Sequence, residues 1–272
     1  MVVPDDAWDG AFDAQLAPVR AWFDSGDRDP NDFDQHGFTL LYRAFQGSED
    51  NAPRLAVVQF LLERGADVNV PQRGRSSWAT ISCFHLVCQQ WNDNPVDLLL
   101  RHGADANQIG DGMTPLEWAF EYYSSCMFEL FYLFNVSVLT LMLRAGASID
   151  FARLPPEVHL RRMIEGDRPY ELASQLREGF EDGESDFDDL YVDERVREIN
   201  EGIDLIAGVR QDGSYRAYLR RPHKALLRIR SLRARGRANA VDATPPHVAR
   251  LLDPSLPNEI AWGILTYYCD AG

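Results

Sequence analysis

The pattern of apolar and polar positions recurs in three similar segments of the chain. Their sequences are VQFLLERGADVN at 58–69, VDLLLRHGADAN at 96–107 and LTLMLRAGASID at 139–150. In each segment the apolar residues follow helical spacing, a basic residue comes near the end, and a Gly follows that can adopt the left-handed conformation closing a helix. Each segment therefore predicts a helix, a stop and an exposed turn.

Two rougher copies extend this pattern in both directions: VRAWFDSGDRDPN at 19–31 and LASQLREGF at 172–180. The stop glycines are separated by 39, 38, 43 and 33 residues; they are Gly26, Gly65, Gly103, Gly146 and Gly179. Similar openings lie upstream of three of them: GFTLLYRAF from Gly37, SCFHLV from Ser82 and GMTPLEWAF from Gly112.

With these openings and stops, the chain resembles the ankyrin repeat family, in which about 33 residues form two antiparallel helices and T-P-L-H-x-A opens the first one. In that family the Thr precedes the stop Gly by about 21 residues. Ser82 lies 21 residues before its Gly, whereas Thr39 and Thr114 lie 26 and 32 residues before theirs, so two repeats carry extra residues. The resemblance covers about residues 1–180 and implies an all-α solenoid of about five helix-pair repeats with elongated or inserted segments.

The sequence changes character after the repeats. Residues 181–192 form an acidic connector that contains EDGESDFDD, and residues 193–272 are predicted to form a C-terminal helical module. In that module DERVREINEGIDLIAG predicts a helix with apolar residues on one side: Val196, Ile199, Ile203 and Ile206.

The C-terminal sequence LPNEIAWGILTYY resembles the start of an F-box and, with the upstream PHKALLRIRSLRAR, a suppressor-of-cytokine-signalling (SOCS) box. A SOCS box closes many ankyrin proteins and couples them to ubiquitin ligases, so this resemblance implies ligase subunits as partners. The family's cysteine after the leucine pair is missing here, and its nearest equivalents are Arg230 and Gly236. The implied contact residues are Leu256, Pro257, Ile260, Ile264 and Leu265. A helical cap on the repeats is the alternative role of the module.

The formal net charge of −15 argues against binding to nucleic acid, because both would be negatively charged. The charge is uneven: residues 178–204 hold twelve acidic and two basic residues, whereas 210–237 hold ten basic and one acidic. Either the two segments neutralise each other within the fold, or the basic one recruits an acidic partner.

Residence inside the cell, in the cytoplasm or nucleus, is the expected location. The start MVVPDDAWDG lacks the features of a secretory signal, and the four cysteines form no CxxC pair or disulfide framework. The apolar run 127–143 is interrupted by Glu129 and Asn135, which favours a buried helix pair over a membrane span.

The residues offer little for catalysis. The chain has no GxxxxGK[ST], HExxH or GxSxG motif, so we expect neither an enzyme nor a cofactor. Cys83, His85 and Cys88 form the one cluster that suggests a metal or thiol site. The same residues overlay the T-P-L-H-x-A opening, so a diverged repeat is the preferred interpretation, with His85 bonded inside the turns and no metal.

Partners of ankyrin repeats bind to the finger turns and to the exposed positions of the first helices. The resemblance therefore implies a protein-binding scaffold or adaptor, which we expect to be a monomer when alone. The matching positions are Gln35, His36, Phe38 and Gln46; then Arg73, Arg75, Ile81, Gln89, Gln90 and Trp91; then Asp111, Met113, Glu121 and Tyr122.

Overall fold

The computed structural model describes residues 2–47, 51–73, 80–121, 133–165, 169, 189–237, 246–253, 255–258 and 260–261. The chain divides into two compact units, Met1–Arg210 and Gln211–Gly272. The described helices of the first unit are α1 Asp5–Phe12, α2 Leu16–Asp24, α3 Leu40–Gln46, α4 Asn51–Glu63, α5 Cys83–Gln89, α6 Asp93–Arg101, α7 Pro115–Glu121, α8 Val136–Arg144, α9 Pro156–Ile164 and α10 Asp189–Asp212, which ends just inside the second unit.

The helices of the repeats pack in two layers. Within a repeat, α1 packs on α2, α3 on α4 and α5 on α6. The first helices form one layer, in which α1, α3, α5, α7 and α9 follow one another, and among the second helices α2 contacts α4 and α6 contacts α8. The described part of the chain contains no strand, only two isolated bridges, Phe33 with Thr39 and Gly110 with Met113. The predicted all-α ankyrin-repeat solenoid is confirmed.

Polar caps and glycines set the ends of these helices. The side chains of Thr39, Asn92 and Asn135 accept hydrogen bonds from backbone N–H groups in the first turns of α3, α6 and α8. The predicted stop glycines after α4, α6 and α8 have φ angles of 88°, 85° and 89°. This left-handed conformation strains any residue with a Cβ, so the glycines are required by the backbone.

Asparagine side chains join each repeat to the next. In each case the side-chain amide donates to the carbonyl of a stop glycine, and its oxygen accepts from the N–H two residues after that glycine. The contacts are Asn31 with Gly65 (3.5 Å) and Asp67 (2.8 Å), Asn69 with Gly103 (2.9 Å) and Asp105 (2.8 Å), and Asn107 with Gly146 (2.9 Å) and Ser148 (2.8 Å). We call this series the asparagine ladder.

At the last position of the ladder that the structure describes, Asp150 takes the place that asparagine holds in the earlier repeats. A carboxylate cannot donate to a following carbonyl. Instead Arg210 of α10 donates to Asp150 (3.4 Å), to the carbonyl of Ile149 (3.4 Å) and to both oxygens of Glu157 (2.7 and 3.2 Å). The helix after the repeats therefore supplies the donors that the last described turn needs.

Helix α10 packs closely on the repeats. A Cβ on Gly202 would come within 2.6 Å of the Phe134 ring, so only glycine allows this approach. Glu198 accepts a hydrogen bond from the N–H of Val136 (3.0 Å), at the start of α8. The first compact unit extends to Arg210. The start of a C-terminal module at 193 stays a prediction. The rest of the predicted acidic connector, 181–188, and the rough copy at 172–180 lie outside the described residues.

The second unit contains α11 Tyr215–Leu219, α12 Arg221–Ala234 and α13 Pro246–Leu251. Arg230 is buried and donates to the carboxamide oxygen of Asn258 (3.1 Å) and to the carbonyls of Leu251 and Leu256. This arginine therefore ties α12 to the segment that follows α13. Among the residues described, no helix has the length and apolar character needed to cross a bilayer.

Replacing Asn69 by Ala should lower the free energy of unfolding by roughly 1–2 kcal/mol, because it removes a donor and an acceptor that join two repeats. Urea denaturation measures this loss. The control is Asn94→Ala, since Asn94 is exposed in α6 and its side chain makes no hydrogen bond within the described residues. An equal loss in both variants would show that the ladder does not stabilise the stack.

Candidate protein-binding surface

The first finger turn is held by a single carboxylate. Asp34 accepts hydrogen bonds from the N–H groups of His36 and Phe38, both at 2.8 Å. Gln35 and His36 are exposed, and Phe38 is half-buried. The Gln35 amide donates to Asp5 of α1 (3.0 Å), which joins the turn to the neighbouring helix. The turn therefore presents three predicted contact residues from a fixed backbone.

Side chains also hold the described parts of the next two turns. The exposed Arg73 places its guanidinium 4.3 Å from the centre of the Phe33 ring, while Arg75 lies outside the described residues. Thr80 donates to the carboxylate of Asp111 (2.7 Å) and accepts from its N–H (2.6 Å). Asp111 is exposed at the tip, and Met113, half-buried, follows it.

The first helices carry the remaining exposed positions. Phe38 stacks on Tyr42, with 5.2 Å between the ring centres. Gln46 is half-buried and accepts from Arg43 (2.6 Å), and Gln90 donates to the carbonyl of Phe45 (3.1 Å).

Glu121 ends α7 beside the buried His159, with 3.4 Å between the carboxylate and the imidazole. Arg153 lies 3.9 Å from the same carboxylate. Burial lowers the pKa of His159, and the Glu121 carboxylate opposes this shift. Tyr122, the next predicted contact residue, lies outside the described residues.

Three predicted surface residues are buried, so their expected exposure is wrong. Ile81 is fully buried, because the next finger packs so closely that a Cβ on Gly110 would lie 2.9 Å from its Cα. Gln89 accepts from the indole N–H of Trp118 (3.3 Å) in the core. Trp91, with only 2% exposed, has its ring centre 5.2 Å from Phe120 and 5.0 Å from Phe134.

The segment SCFHLVC forms the start of α5. Nδ1 of His85 accepts from the N–H of Ser82 (3.2 Å), and this bond assigns the ring proton to Nε2, which donates to the carbonyl of Met113 (3.3 Å). This bonding inside the turns agrees with the diverged repeat opening, in which a capping box begins a helix. Burial lowers the pKa of His85 to about 4.

The two thiols of this segment are in the core. Cys83 donates to the carbonyl of Val68 (3.3 Å), and Cys88 contacts the sulfur of Met142 (3.6 Å). Burial raises the pKa of both thiols. Within the described residues no group of three His, Cys, Asp or Glu side chains could hold a metal ion.

An aromatic and cationic cluster between α1 and α3 was not predicted from the sequence. The guanidinium of Arg43 lies 3.4 Å from the centre of the Trp8 ring and 4.3 Å from that of Phe12. The α1 segment DDAWDGAF lacks a repeat opening, so no motif draws attention to its two rings.

The predicted contact residues of the C-terminal module are partly described. Leu256 is half-buried and its carbonyl accepts from Arg230, whereas Pro257 and Ile260 are exposed. Ile264 and Leu265 lie outside the described residues.

Comparisons with known proteins agree with this architecture. The family model described as ankyrin repeat matches residues 36–73. The chain is also similar to scaffold protein ILK of Cavia porcellus, Mus musculus and Homo sapiens, at 37% identity over 70 residues in each case. The alignment covers 26% of this chain and 14% of each relative's length.

Stacked helix pairs with fixed, exposed turns define the class of repeat proteins that bind other proteins. Within that class, residues 36–73 form an ankyrin repeat, and the openings and stop glycines of the neighbouring repeats follow the same pattern.

Truncation of Trp91 to Ala should cost about 3–5 kcal/mol of unfolding free energy, as for other buried aromatic residues. Phe38→Ala should cost only about 1–2 kcal/mol, since it loses one aromatic stack and little burial. Chemical denaturation of both variants makes the comparison. If the two losses were equal, Phe38 would belong to the core and would be unavailable to a partner.

The protein should lose stability as the pH falls from about 6.5 towards 4, in part through His85. In this window unfolded His85 binds a proton, whereas folded His85, with its pKa near 4, stays neutral. The contribution is fully present above the unfolded pKa and amounts to about 3 kcal/mol at most. The control is His85→Gln, which keeps a capping-box acceptor but does not titrate. Equal pH dependence in both proteins would contradict the assignment.

Proposed function

We propose that the protein is a non-catalytic scaffold or adaptor that binds a partner protein through its finger turns and the exposed side of its first helices. The observation that carries this proposal is the internal fixing of two finger turns within the described residues. Asp34 orders the turn of His36 and Phe38, and Thr80 and Asp111 order the tip of another. Because the turns are preorganised, little conformational entropy is lost when a partner binds to them.

The proposed contact set consists of the predicted residues that are at least partly exposed. The buried Ile81, Gln89 and Trp91 are removed from it. It comprises Gln35, His36, Phe38, Gln46, Arg73, Gln90, Asp111, Met113 and Glu121. Phe38 and Met113 supply the apolar area that usually anchors an interface, and the polar residues surround it.

The buried chemistry of α5 supports a non-catalytic role. A nucleophilic cysteine needs a lowered pKa and access to substrate, whereas Cys83 and Cys88 are buried with raised pKa values. His85 uses both ring nitrogens in bonds that hold the repeat together.

A second candidate function concerns the second unit, which could recruit ubiquitin-ligase subunits while the repeats bind a target. The supporting observation is that Ile229 and Ile260 are 42% and 51% exposed, so apolar surface is available there. Arg230, near the position of the SOCS-box cysteine, is instead used internally through its bond to Asn258.

Affinity capture with the full chain from its native cell, followed by mass spectrometry, tests both candidates. The double variant Phe38→Ala/Met113→Ala should lose captured partners, because it removes the apolar anchors of the repeats while circular dichroism shows a folded protein. The matched variant Ile229→Ala/Ile260→Ala removes two exposed apolar side chains from the second unit.

If the first variant retains every partner of the unmodified chain, the scaffold proposal is wrong. The ligase candidate requires that the second variant lose ligase subunits and keep the remaining partners. Equal enrichment of ligase subunits with and without Ile229 and Ile260 would remove that candidate.

A further inference from the structure

The surface between α1 and α3 combines aromatic rings with carboxylates. Trp8 and Phe12 are both partly exposed on α1, the exposed Asp6 and Asp9 lie on the same helix, and the exposed Asp13 is its C-cap. His36 of the first finger turn lies beside them, with its ring centre 5.8 Å from that of Trp8. We call these six residues, together with Arg43, the α1–α3 face.

Arg43 shows which kind of group this face accepts. Its guanidinium lies over the Trp8 ring, within the electrostatic reach of Asp34, Asp9 and Asp13. Aromatic faces attract cations, and they attract arginine most often. The chain itself thus provides one example of a guanidinium bound by rings and carboxylates together.

One cation does not neutralise this face. Asp6, Asp9 and Asp13 are exposed, and Asp5 is bonded to the neutral amide of Gln35. Arg43 is already committed to Trp8, Phe12 and Gln46. The exposed carboxylates therefore give the face a net negative potential beside half-exposed rings.

Two polar atoms at this surface lack a hydrogen-bond partner among the described residues. Asp34 is only 7% exposed, and its Oδ1 orders the finger turn while its Oδ2 has no donor. The indole N–H of Trp8 is buried and has no acceptor. Asp34 therefore keeps the capacity to accept one more hydrogen bond, and Trp8 the capacity to donate one.

We propose that the α1–α3 face binds an extended, arginine- or lysine-rich segment of a partner protein. This inference rests on the proposed scaffold function and names the chemistry of the partner at one end of the repeats. Cationic side chains pair with the carboxylates of α1 and lie against the exposed parts of Trp8 and Phe12. Nucleic acid and anionic lipid carry the wrong charge for this face.

Titration of the full chain with a synthetic octapeptide of alternating Arg and Gly tests the proposal. The peptide should bind, and its affinity should fall as the salt concentration rises, because the attraction is between exposed charges. An octapeptide of alternating Glu and Gly should not bind. Equal binding of the two peptides would overturn the proposal.

A pair of charge-matched variants locates the site. Asp6→Asn/Asp9→Asn/Asp13→Asn should weaken binding of the Arg peptide about tenfold or more. The control removes three exposed carboxylates elsewhere in the first unit, Glu63→Gln/Glu165→Gln/Asp204→Asn, and should change affinity by less than about twofold. Thermal melting confirms that both are folded. Equal weakening in both would show that net charge, and not this face, binds the peptide.

Tryptophan fluorescence locates the bound peptide independently of the charge variants. The peptide should change the emission of the unmodified chain, and Trp8→Phe should abolish this change while calorimetry still detects binding. A change that persists in Trp8→Phe places the peptide elsewhere and contradicts the proposal.

Sedimentation of the chain without peptide tests whether a second copy of the chain occupies the face. Salt-sensitive dimers that the Asp6→Asn/Asp9→Asn/Asp13→Asn variant prevents would also overturn the proposal.

The outcomes separate this inference from the scaffold proposal. Loss of cellular partners in Phe38→Ala/Met113→Ala, with no binding of the Arg peptide, leaves the scaffold proposal standing and removes the cationic partner. Retention of every partner in that variant, with site-specific binding of the Arg peptide, removes the scaffold proposal and leaves the cation-binding face standing.

Discussion

The asparagine ladder is the interaction on which the spacing of the repeats depends. An asparagine side chain both donates and accepts, so a single residue satisfies a carbonyl and an N–H of the next repeat. Both of these backbone groups lie where a helix has just ended and intrahelical partners are lacking. The glycine that ends each helix exposes its carbonyl to this bond only because it can adopt a positive φ angle. The glycine that ends each helix and the asparagine that binds its carbonyl therefore act together. Their contact fixes the positions of the finger turns.

Asp150 stands where the earlier repeats have asparagine, and this changes the hydrogen bonds that can join the repeats at that position. A carboxylate accepts hydrogen bonds but cannot donate, so a turn built like the earlier ones would leave the next carbonyl without a partner. Arg210 reverses the roles: it donates to Asp150, to Ile149 and to Glu157. The long helix α10 is thereby fixed to the repeats from its C-terminal part, while Gly202 allows its middle to lie against Phe134. Where the ladder has Asp150 in place of asparagine, an arginine of helix α10 makes the joining contacts.

Local signals allowed most of the repeats to be predicted from the sequence. Stop glycines and the Thr and Ser openings act within one repeat, so their spacing is visible in the chain. The burial of Trp91 was not predictable in the same way, because Phe134 reaches it across an insertion that has no period. Nor was the pairing of Trp8 with Arg43, which depends on how two helices from different repeats approach each other. Contacts between repeats depend on the three-dimensional approach of helices and were not predicted from the sequence.

The negative charge is concentrated in the first unit, where several arginines are engaged in the fold. Residues 1–210 contain 37 acidic and 17 basic residues, whereas 211–272 contain five and ten. Several arginines of the first unit are engaged in the fold: Arg43 lies on two rings, and Arg210 bonds the last ladder position. Such arginines neutralise charges in their own surroundings and contribute little to the potential over distant exposed carboxylates. Like charges on one surface repel each other and reduce stability slightly. The same field extends about 8 Å into physiological salt and would speed the encounter with an oppositely charged partner more than it would strengthen the final complex.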